Sequence, residues 1–347
     1  MPLRIAVVPG DGIGPEVIAQ GVRVLQAAGS ELQFTHYDVG AERFLRSGEI
    51  LPQQVFDELK ASDAIYLGAI GDPRVKDPLY AAGILLRLRF ELDLWANLRP
   101  SRLLAPALTP LRDPGKIDLV VVRENTEGAY VGIGGQFKRG TMEEVAIQED
   151  INTRLGVERV IRFAFNLARE RRAAGHLGRV TMVDKSNALY HAHDLWQRVF
   201  AQERERATDI EAQHLYVDVA AMQLVKRPAE FDVLVTSNMF GDILSDLASE
   251  LVGGLGQAAS GNINPDTGRG LFEPVHGSAP KHAGKGTANP LGAILSGAMM
   301  LRHLGQAKGA DRIEKAVAEA VREGEITGDL GGSLSTEVAA RAVIRRL

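Results

Sequence analysis

The 347-residue chain contains no cysteine. Disulfides, thiolate catalysis and zinc–thiolate sites are therefore excluded, and any chemistry must come from oxygen and nitrogen groups. Positive charge is not in excess either: 40 lysines and arginines stand against 44 aspartates and glutamates, a formal net charge of −4. That argues against nucleic acid or an anionic membrane as partner, while local basic clusters can still bind small anions. Long hydrophobic runs are also missing. The longest apolar stretch, Leu291 to Leu301, is too short to span a bilayer and contains glycine and serine. The apolar run inside Met1-Pro-Leu-Arg-Ile-Ala-Val-Val-Pro9 is too short for a signal-peptide core, so a cytoplasmic protein is expected. No repeat or low-complexity tract is evident.

What is present is an alternation. Strand-like apolar runs at residues 4–8, 64–67, 117–122, 180–183 and 231–236 are separated by segments of helical period. This pattern predicts an α/β fold with much parallel or mixed sheet, and the chain length makes two domains the natural expectation. Val157, Val160, Ile161, Ala164 and Ala168 keep helical spacing. Asn289-Pro290 supplies a cap and a first-turn proline for a helix that Gly305 can terminate. Pro100, Pro106, Pro110 and Pro114 suggest a connector or domain crossing near residue 100. The glycine-rich stretch 132–141 looks like a hairpin or arm, for which an intersubunit role is expected. In Gly10-Asp-Gly12-Ile-Gly14-Pro15 the third glycine comes one residue too early for the dinucleotide-binding fingerprint, so the loop is either a simple turn or a close backbone approach to a nucleotide.

The most informative stretch is Asn238-Met-Phe-Gly-Asp242-Ile-Leu-Ser-Asp246, directly after the run at 231–236. Two carboxylates four apart share one helix face and suit a hard divalent cation, although acids opening a helix are also explained by its dipole. Leu85, Leu86 and Arg89 fall on one face of a helix-like segment running towards Arg99, which suits a ligand with a carboxylate and a short hydrocarbon branch. Arg99 and Arg123 would extend this into a cationic pocket for a di- or tricarboxylate, whereas each arginine taken singly is an ordinary surface charge. Lys185 follows a strand, where active residues of α/β folds gather, and a lowered pKa would let it serve as a base; most lysines only solubilise. Tyr130 is a further candidate, and Asp218 precedes an apparent helix, where an N-cap is the plain alternative.

Together these residues resemble the β-decarboxylating dehydrogenase family of isopropylmalate, isocitrate, homoisocitrate and tartrate dehydrogenases. The motifs are Gly10-Asp-Gly-Ile-Gly-Pro-Glu16, Ala96-Asn-Leu-Arg-Pro100, Val122-Arg-Glu-Asn-Thr-Glu-Gly128, Asn238 to Asp246, and Phe272-Glu-Pro-Val-His-Gly-Ser-Ala-Pro280. The resemblance implies a two-domain, non-Rossmann α/β fold, with a discontinuous cofactor-binding domain (1–95 plus 255–347), an inserted domain (96–254) and the active site in the cleft between them. It also implies dimers or tetramers of dimeric units. Carried over, Arg89, Arg99 and Arg123 match the substrate-carboxylate arginines, and Tyr130 and Lys185 the catalytic pair. Asp218, Asp242 and Asp246 match the Mg²⁺ or Mn²⁺ ligands, with Asp218 and Lys185 belonging to a site completed across the dimer interface. His276, Gly277, Ser278, Ala279, Ala288 and Asn289 match the loop for the adenosine half of the nicotinamide cofactor, and Asn187 lies where the nicotinamide end is contacted.

Leu85 and Leu86 match the pair that contacts the isopropyl group in the isopropylmalate branch, which would oxidise and decarboxylate 3-isopropylmalate in leucine biosynthesis. The motif at 122–128 is shared with the homoisocitrate and tartrate branches, so those substrates, malate and isocitrate stay as alternatives. After the His276 loop, NAD-linked members carry an aspartate, whereas this chain has Lys281-His282, and a lysine there could pair with the 2′-phosphate of NADP. Gly328 and Gly332 stand where the NADP branch completes that site with tyrosine and arginine, so NAD is the expected cofactor.

Overall fold

The protein is described by a computed structural model covering residues 2–29 and 31–347. It divides into two compact units: the described residues of Met1–Leu94 with Arg102–Arg112 and Ser249–Leu347, and Trp95–Ser101 with Asp113–Ala248. From the amino terminus, the first unit holds β1 (Leu3–Val8), α1 (Gly14–Ala27), β2 (Leu32–His36), α2 (Ala41–Ser47), α3 (Gln53–Ala61), β3 (Ala64–Leu67) and α4 (Tyr80–Glu91). The second unit begins with β4 (Ala96–Arg102), β5 (Asp118–Glu124), β6 (Gly134–Phe137), β7 (Val145–Gln148), α5 (Arg154–Ala173) and β8 (Arg179–Asp184). It continues through α6 (Tyr190–Arg206), β9 (Glu211–Tyr216), α7 (Val217–Lys226), β10 (Val233–Thr236) and α8 (Asn238–Glu250). The first unit is then completed by β11 (Ala259–Asn264), β12 (Arg269–Pro274), α9 (Leu291–His303), α10 (Ala307–Arg322) and α11 (Thr336–Ile344).

Strands of the first unit are ordered β2-β1-β3-β12-β11, all neighbours parallel except the β11–β12 pair. In the second unit the order is β4-β5-β10-β8-β9, with β5, β10, β8 and β9 mutually parallel. This is the α/β fold with mixed sheet that the alternation predicts. β3 (Ala-Ile-Tyr-Leu) and β10 (Val-Leu-Val-Thr) are buried at every position, as strands covered on both faces must be. On α1, Gly21 leaves room for Tyr66 of β3, whose hydroxyl donates to the Ala293 carbonyl of α9 at 2.6 Å; a Cβ at Gly21 would lie 1.9 Å from the Tyr66 hydroxyl oxygen.

The buried stripe of α5 is the predicted one, with Val157, Val160, Ile161, Ala164 and Ala168 inside, and Thr153 caps the helix by accepting from Gly156 N at 3.1 Å. α9 starts one residue later than expected: Pro290 occupies the cap, while Asn289 Oδ1 accepts from Leu291 N at 3.0 Å. Gly305 follows its end at φ +78°, the left-handed conformation that glycine adopts without penalty. The helix carrying Leu85 stops at Glu91, and the proline-containing tract around Arg99 is a strand, β4, rather than a continuation. The hairpin is real and longer than the glycine-rich stretch, pairing Gly134 with Gln148 and Phe137 with Val145, and both its strands are exposed throughout. Among the described residues, no helix is long and apolar enough to cross a membrane.

Candidate active site

The second unit gathers five of the sequence-derived site residues around α8. Asp242 and Asp246 lie one helical turn apart, and the first turn of α8 carries no acid. The dipole explanation for these carboxylates therefore loses its footing, since that effect fades beyond the first turn. Their neighbours are guanidinium groups. Arg99, on β4, directs Nη1 to Asp242 Oδ1 at 3.1 Å, Asp246 Oδ1 at 3.3 Å and Ser245 Oγ at 2.9 Å, while Nε donates to Asn97 at 2.9 Å. Arg123, at the end of β5, pairs with Asp242 through Nη1 and donates from Nε to Asn238 Oδ1 at 2.9 Å. Gly241 permits this approach, because a Cβ there would stand 2.6 Å from the Arg123 side chain.

Arg123 is 1% exposed and Arg99 8%. A buried guanidinium is costly without a counter-charge and filled hydrogen bonds, and Asp242 supplies both arginines at once. The Tyr130 hydroxyl donates to the other oxygen of Asp242 at 2.6 Å, and Arg123 lies over the Tyr130 ring at 5.0 Å. Burial, followed by the adjacent Asp242 carboxylate, raises the Tyr130 pKa against the opposing pull of Arg123 and Arg99. Tyr130 is thus a protonated donor at neutral pH.

Lys185 and Asp218 form a second arrangement in this unit. Lys185 follows β8 and its Nζ donates to Asp218 Oδ1 at 2.6 Å, which lowers the Asp218 pKa. Asp218 is not an N-cap: Tyr216 holds that position on α7 and Asp218 lies in the first turn. Asn187 is exposed and makes no side-chain bond among the described residues.

In the first unit, α4 presents Leu85 and Leu86 half-buried, beside a buried Arg89. Arg89 Nη2 donates to Glu273 Oε1 at 2.9 Å, an oxygen that also accepts from Asn262 at 2.9 Å, while Arg89 Nε has no partner among the described residues. The loop after β12 carries the remaining candidates. His276 Nδ1 lies 3.0 Å from the Gly277 carbonyl, which can only accept, so in the neutral ring that burial favours, the proton is on Nδ1, and the buried Nε2 is an acceptor without a partner among the described residues. Ala279 is held at φ +37°, a left-handed conformation uncommon for alanine. Ser278 receives Ile13 N at 2.9 Å, and a Cβ on Gly12 would stand 1.9 Å from its carbonyl oxygen. The first glycine loop is therefore a turn packed against this second loop. Ala288 accepts from Thr336 Oγ1 at 2.6 Å, and Asn289 Nδ2 donates to Asp329 at 2.9 Å. Lys281 is exposed and without a bonding partner among the described residues.

Sequence reasoning missed the residues that hold these groups in place: Asn97, Asn238, Ser245, Glu273 and Asp329. Asn97, Asn238, Ser245 and Glu273 all stand inside the quoted motifs, but nothing local marks Asn97 and Ser245 as partners of Arg99, Asn238 of Arg123 or Glu273 of Arg89. The donors suit the groups the resemblance implies. Asp242 and Asp246 offer partly exposed carboxylate oxygens, and no three metal-binding side chains gather among the described residues of one chain. Two carboxylates are oxygen ligands of the kind a hard cation takes, and its remaining positions would have to be filled by other oxygen groups. On the 276–289 loop, the buried His276 Nε2 without a partner among the described residues and the left-handed Ala279 are groups that a nucleotide's hydrogen-bond donors would fit.

The chain is similar to known proteins over nearly its whole length. The chain is 49% identical over 328 residues to 3-isopropylmalate dehydrogenase of Thermobifida fusca, covering 92% of each. It is 48% identical to 3-isopropylmalate dehydrogenase of Corynebacterium kroppenstedtii, covering 97% of this chain and 99% of that one. The crystal structure of isocitrate dehydrogenase from Methylococcus capsulatus superimposes with a TM-score of 0.90 at 39% identity, covering 99% of both chains. The family model for isocitrate/isopropylmalate dehydrogenases matches residues 4–346, and the chain belongs to that family.

Proposed function

We propose that the protein oxidises and decarboxylates (2R,3S)-3-isopropylmalate to 2-oxoisocaproate, reducing NAD, as a cytoplasmic enzyme of leucine biosynthesis that works as a homodimer or a tetramer of dimers. The observation that carries the substrate is the face of α4, where Leu85 and Leu86 are only half-buried next to the Arg89 guanidinium. Such a face receives a branched hydrocarbon beside a carboxylate, whereas the third carboxylate of isocitrate or homoisocitrate would be desolvated there without a partner. The names of the relatives from Thermobifida and Corynebacterium support the same substrate. The exposed apolar residues of the hairpin, among them Phe137 and Ile147, support self-association.

Each residue has a definite task in this proposal. Arg99 and Arg123 bind substrate carboxylates, their own charge balanced by Asp242 until then. Lys185 Nζ removes the proton of the C2 hydroxyl as the C2 hydrogen departs with its electron pair. The bond from C3 to its carboxylate then breaks, CO₂ leaves, and the Tyr130 hydroxyl returns a proton to C3. One proton is taken and one given back, so the oxidation accounts for the electron pair lost. A divalent cation, Mg²⁺ or Mn²⁺, held by Asp242, Asp246 and an Asp218 contributed across the dimer, supplies Lewis-acid stabilisation of negative oxygen. NAD, held by His276 to Ala279, Ala288, Asn289 and Asn187, supplies the hydride acceptor.

The test is kcat/KM with Mn²⁺ for isopropylmalate, isocitrate, homoisocitrate, tartrate and malate, each with NAD and NADP. Isopropylmalate with NAD should lead. A preference for homoisocitrate or tartrate overturns the role given to Leu85 and Leu86, and a tenfold preference for NADP overturns the cofactor.

A further inference from the structure

The turn after β8 holds Lys185 from three directions. Its carbonyl accepts from Ala188 N at 2.9 Å and Leu189 N at 2.8 Å, its Nζ donates to Asp218, and its backbone N–H donates to His193 Nδ1 at 2.8 Å. A backbone amide can only donate, so Nδ1 of His193 carries its lone pair, and the neutral ring bears its proton on Nε2. Nε2 faces Asp150 Oδ2 at 3.8 Å. Asp150 is tied in turn to Asn152 Nδ2 at 3.0 Å, and Asn152 Oδ1 accepts from the Trp196 indole at 2.8 Å. The His193 ring is 1% exposed and meets Phe240 of α8 edge to face, with centroids 5.5 Å apart. Burial lowers its pKa, while Asp184 and Asp150 pull the other way. An imidazolium would set N–H against N–H at Lys185.

We infer that His193 is a positioning residue: its bare Nδ1 fixes the backbone of Lys185, and its ring packs that turn against Phe240 of α8. The inference rests on the proposal that Lys185 is the base. The strand below is anchored independently, since the fully buried Asp184 accepts from Ser186 N at 3.1 Å, His214 Nε2 at 2.8 Å and Gln197 Nε2 at 2.7 Å. Loss of the His193 acceptor therefore loosens the lysine turn while leaving β8 in place. A base displaced by a fraction of an ångström loses rate without losing substrate affinity.

The experiment compares His193→Leu, His193→Asn and Lys185→Ala in the full-length protein, with isopropylmalate, NAD and Mn²⁺. His193→Leu should lower kcat by on the order of 10²-fold with KM nearly unchanged. His193→Asn should recover most of that loss, because its Oδ1 hangs from the same Cγ and accepts the same N–H. The long-range ¹H–¹⁵N spectrum of the wild-type ring should show Nδ1 bare and Nε2 protonated, a readout independent of activity and of whether the leucine variant folds. A protonated Nδ1, a leucine variant with unchanged kcat, or equal losses in the leucine and asparagine variants overturns the inference. Full activity in Lys185→Ala would instead overturn the base assignment, so the two failures are distinguishable.

Discussion

The centre on α8 and the loop at 276–289 differ in how far their polar groups already satisfy one another. Around α8, one carboxylate, Asp242, meets Arg99, Arg123 and Tyr130 together. On the loop, His276 Nε2 and the Lys281 side chain have no partner among the described residues, and Ala279 is held in a left-handed conformation. The first region is closed by its own hydrogen bonds and ion pairs; the second leaves polar groups without partners among the described residues. Substitutions in the first should therefore propagate through shared partners, while those in the second should act singly.

The largest effect is expected for Tyr130→Phe. The hydroxyl is both a donor to Asp242 and the proposed proton source, so kcat should fall by about 10³-fold, within the range of general-acid catalysis. Combined with Asp242→Asn, the loss should be well short of the product of the single losses, since both remove the same bond. Strict additivity would show that the centre is not a connected unit.

A second expectation sharpens the contrast through pH. Glu124, next to Arg123, is 2% exposed, and its partners among the described residues are Thr126 and Glu127: Thr126 N at 3.0 Å, Thr126 Oγ1 at 2.8 Å and Glu127 N at 2.8 Å. Burial pushes its carboxyl from the usual 4.5 up to about 7, against those hydrogen bonds. The folded state keeps this proton to higher pH than the unfolded chain does. Its contribution to stability is therefore present below pH 4.5 and is lost as pH rises through 7. Measured against Glu124→Gln, the wild type should lose on the order of 2–3 kcal/mol across that window. Unfolding midpoints of both proteins at pH 5 and pH 8 give the difference, and a pH-independent difference means that Glu124 is charged throughout.

Why these groups meet was only partly legible in the sequence. Buried parallel strands such as β10 declare themselves as unbroken apolar runs. β11 does not: Ala-Ser-Gly-Asn-Ile-Asn is polar yet buried at all six positions. Its asparagines bond inward instead, Asn262 to Leu271 O at 3.2 Å and Asn264 to Asp93 O at 2.8 Å, and no hydropathy pattern encodes such pairing. The site shows the same divide. Asp242 and Asp246 are legible because four-residue spacing is a helical property. That Arg99 and Arg123 converge on Asp242 is a fact of strand order, which brings β4, β5 and β10 side by side. Arg89 and Glu273 are 184 residues apart, a pairing that only the tertiary fold creates.

A smaller effect belongs to the α4 face. Leu85 leans on the core of the first unit, so Leu86 is the cleaner probe of ligand contact. Leu86→Ser should reduce kcat/KM for isopropylmalate by about tenfold while leaving malate, which has no branch, nearly untouched. Equal losses for both acids would mean that Leu86 supports the helix rather than the branch.

The smallest expected effect lies on the loop. Lys281 is exposed, and an exposed ion pair with a 2′-phosphate is worth only about 0.2–1 kcal/mol. An arginine at position 332 would need a Cβ 2.1 Å from the Ile326 carbonyl oxygen, so the backbone there favours glycine and leaves the lysine unsupported. Lys281→Asp should accordingly lower kcat/KM for NADP a few-fold and change that for NAD by less than about twofold. Combined with His276→Ala, which strips the bare Nε2 acceptor, the losses on NADP should multiply, since the two side chains share no partner among the described residues. Coupling between them as large as that between Tyr130 and Asp242 would erase the distinction between a centre whose polar groups bond one another and a loop whose groups stand apart.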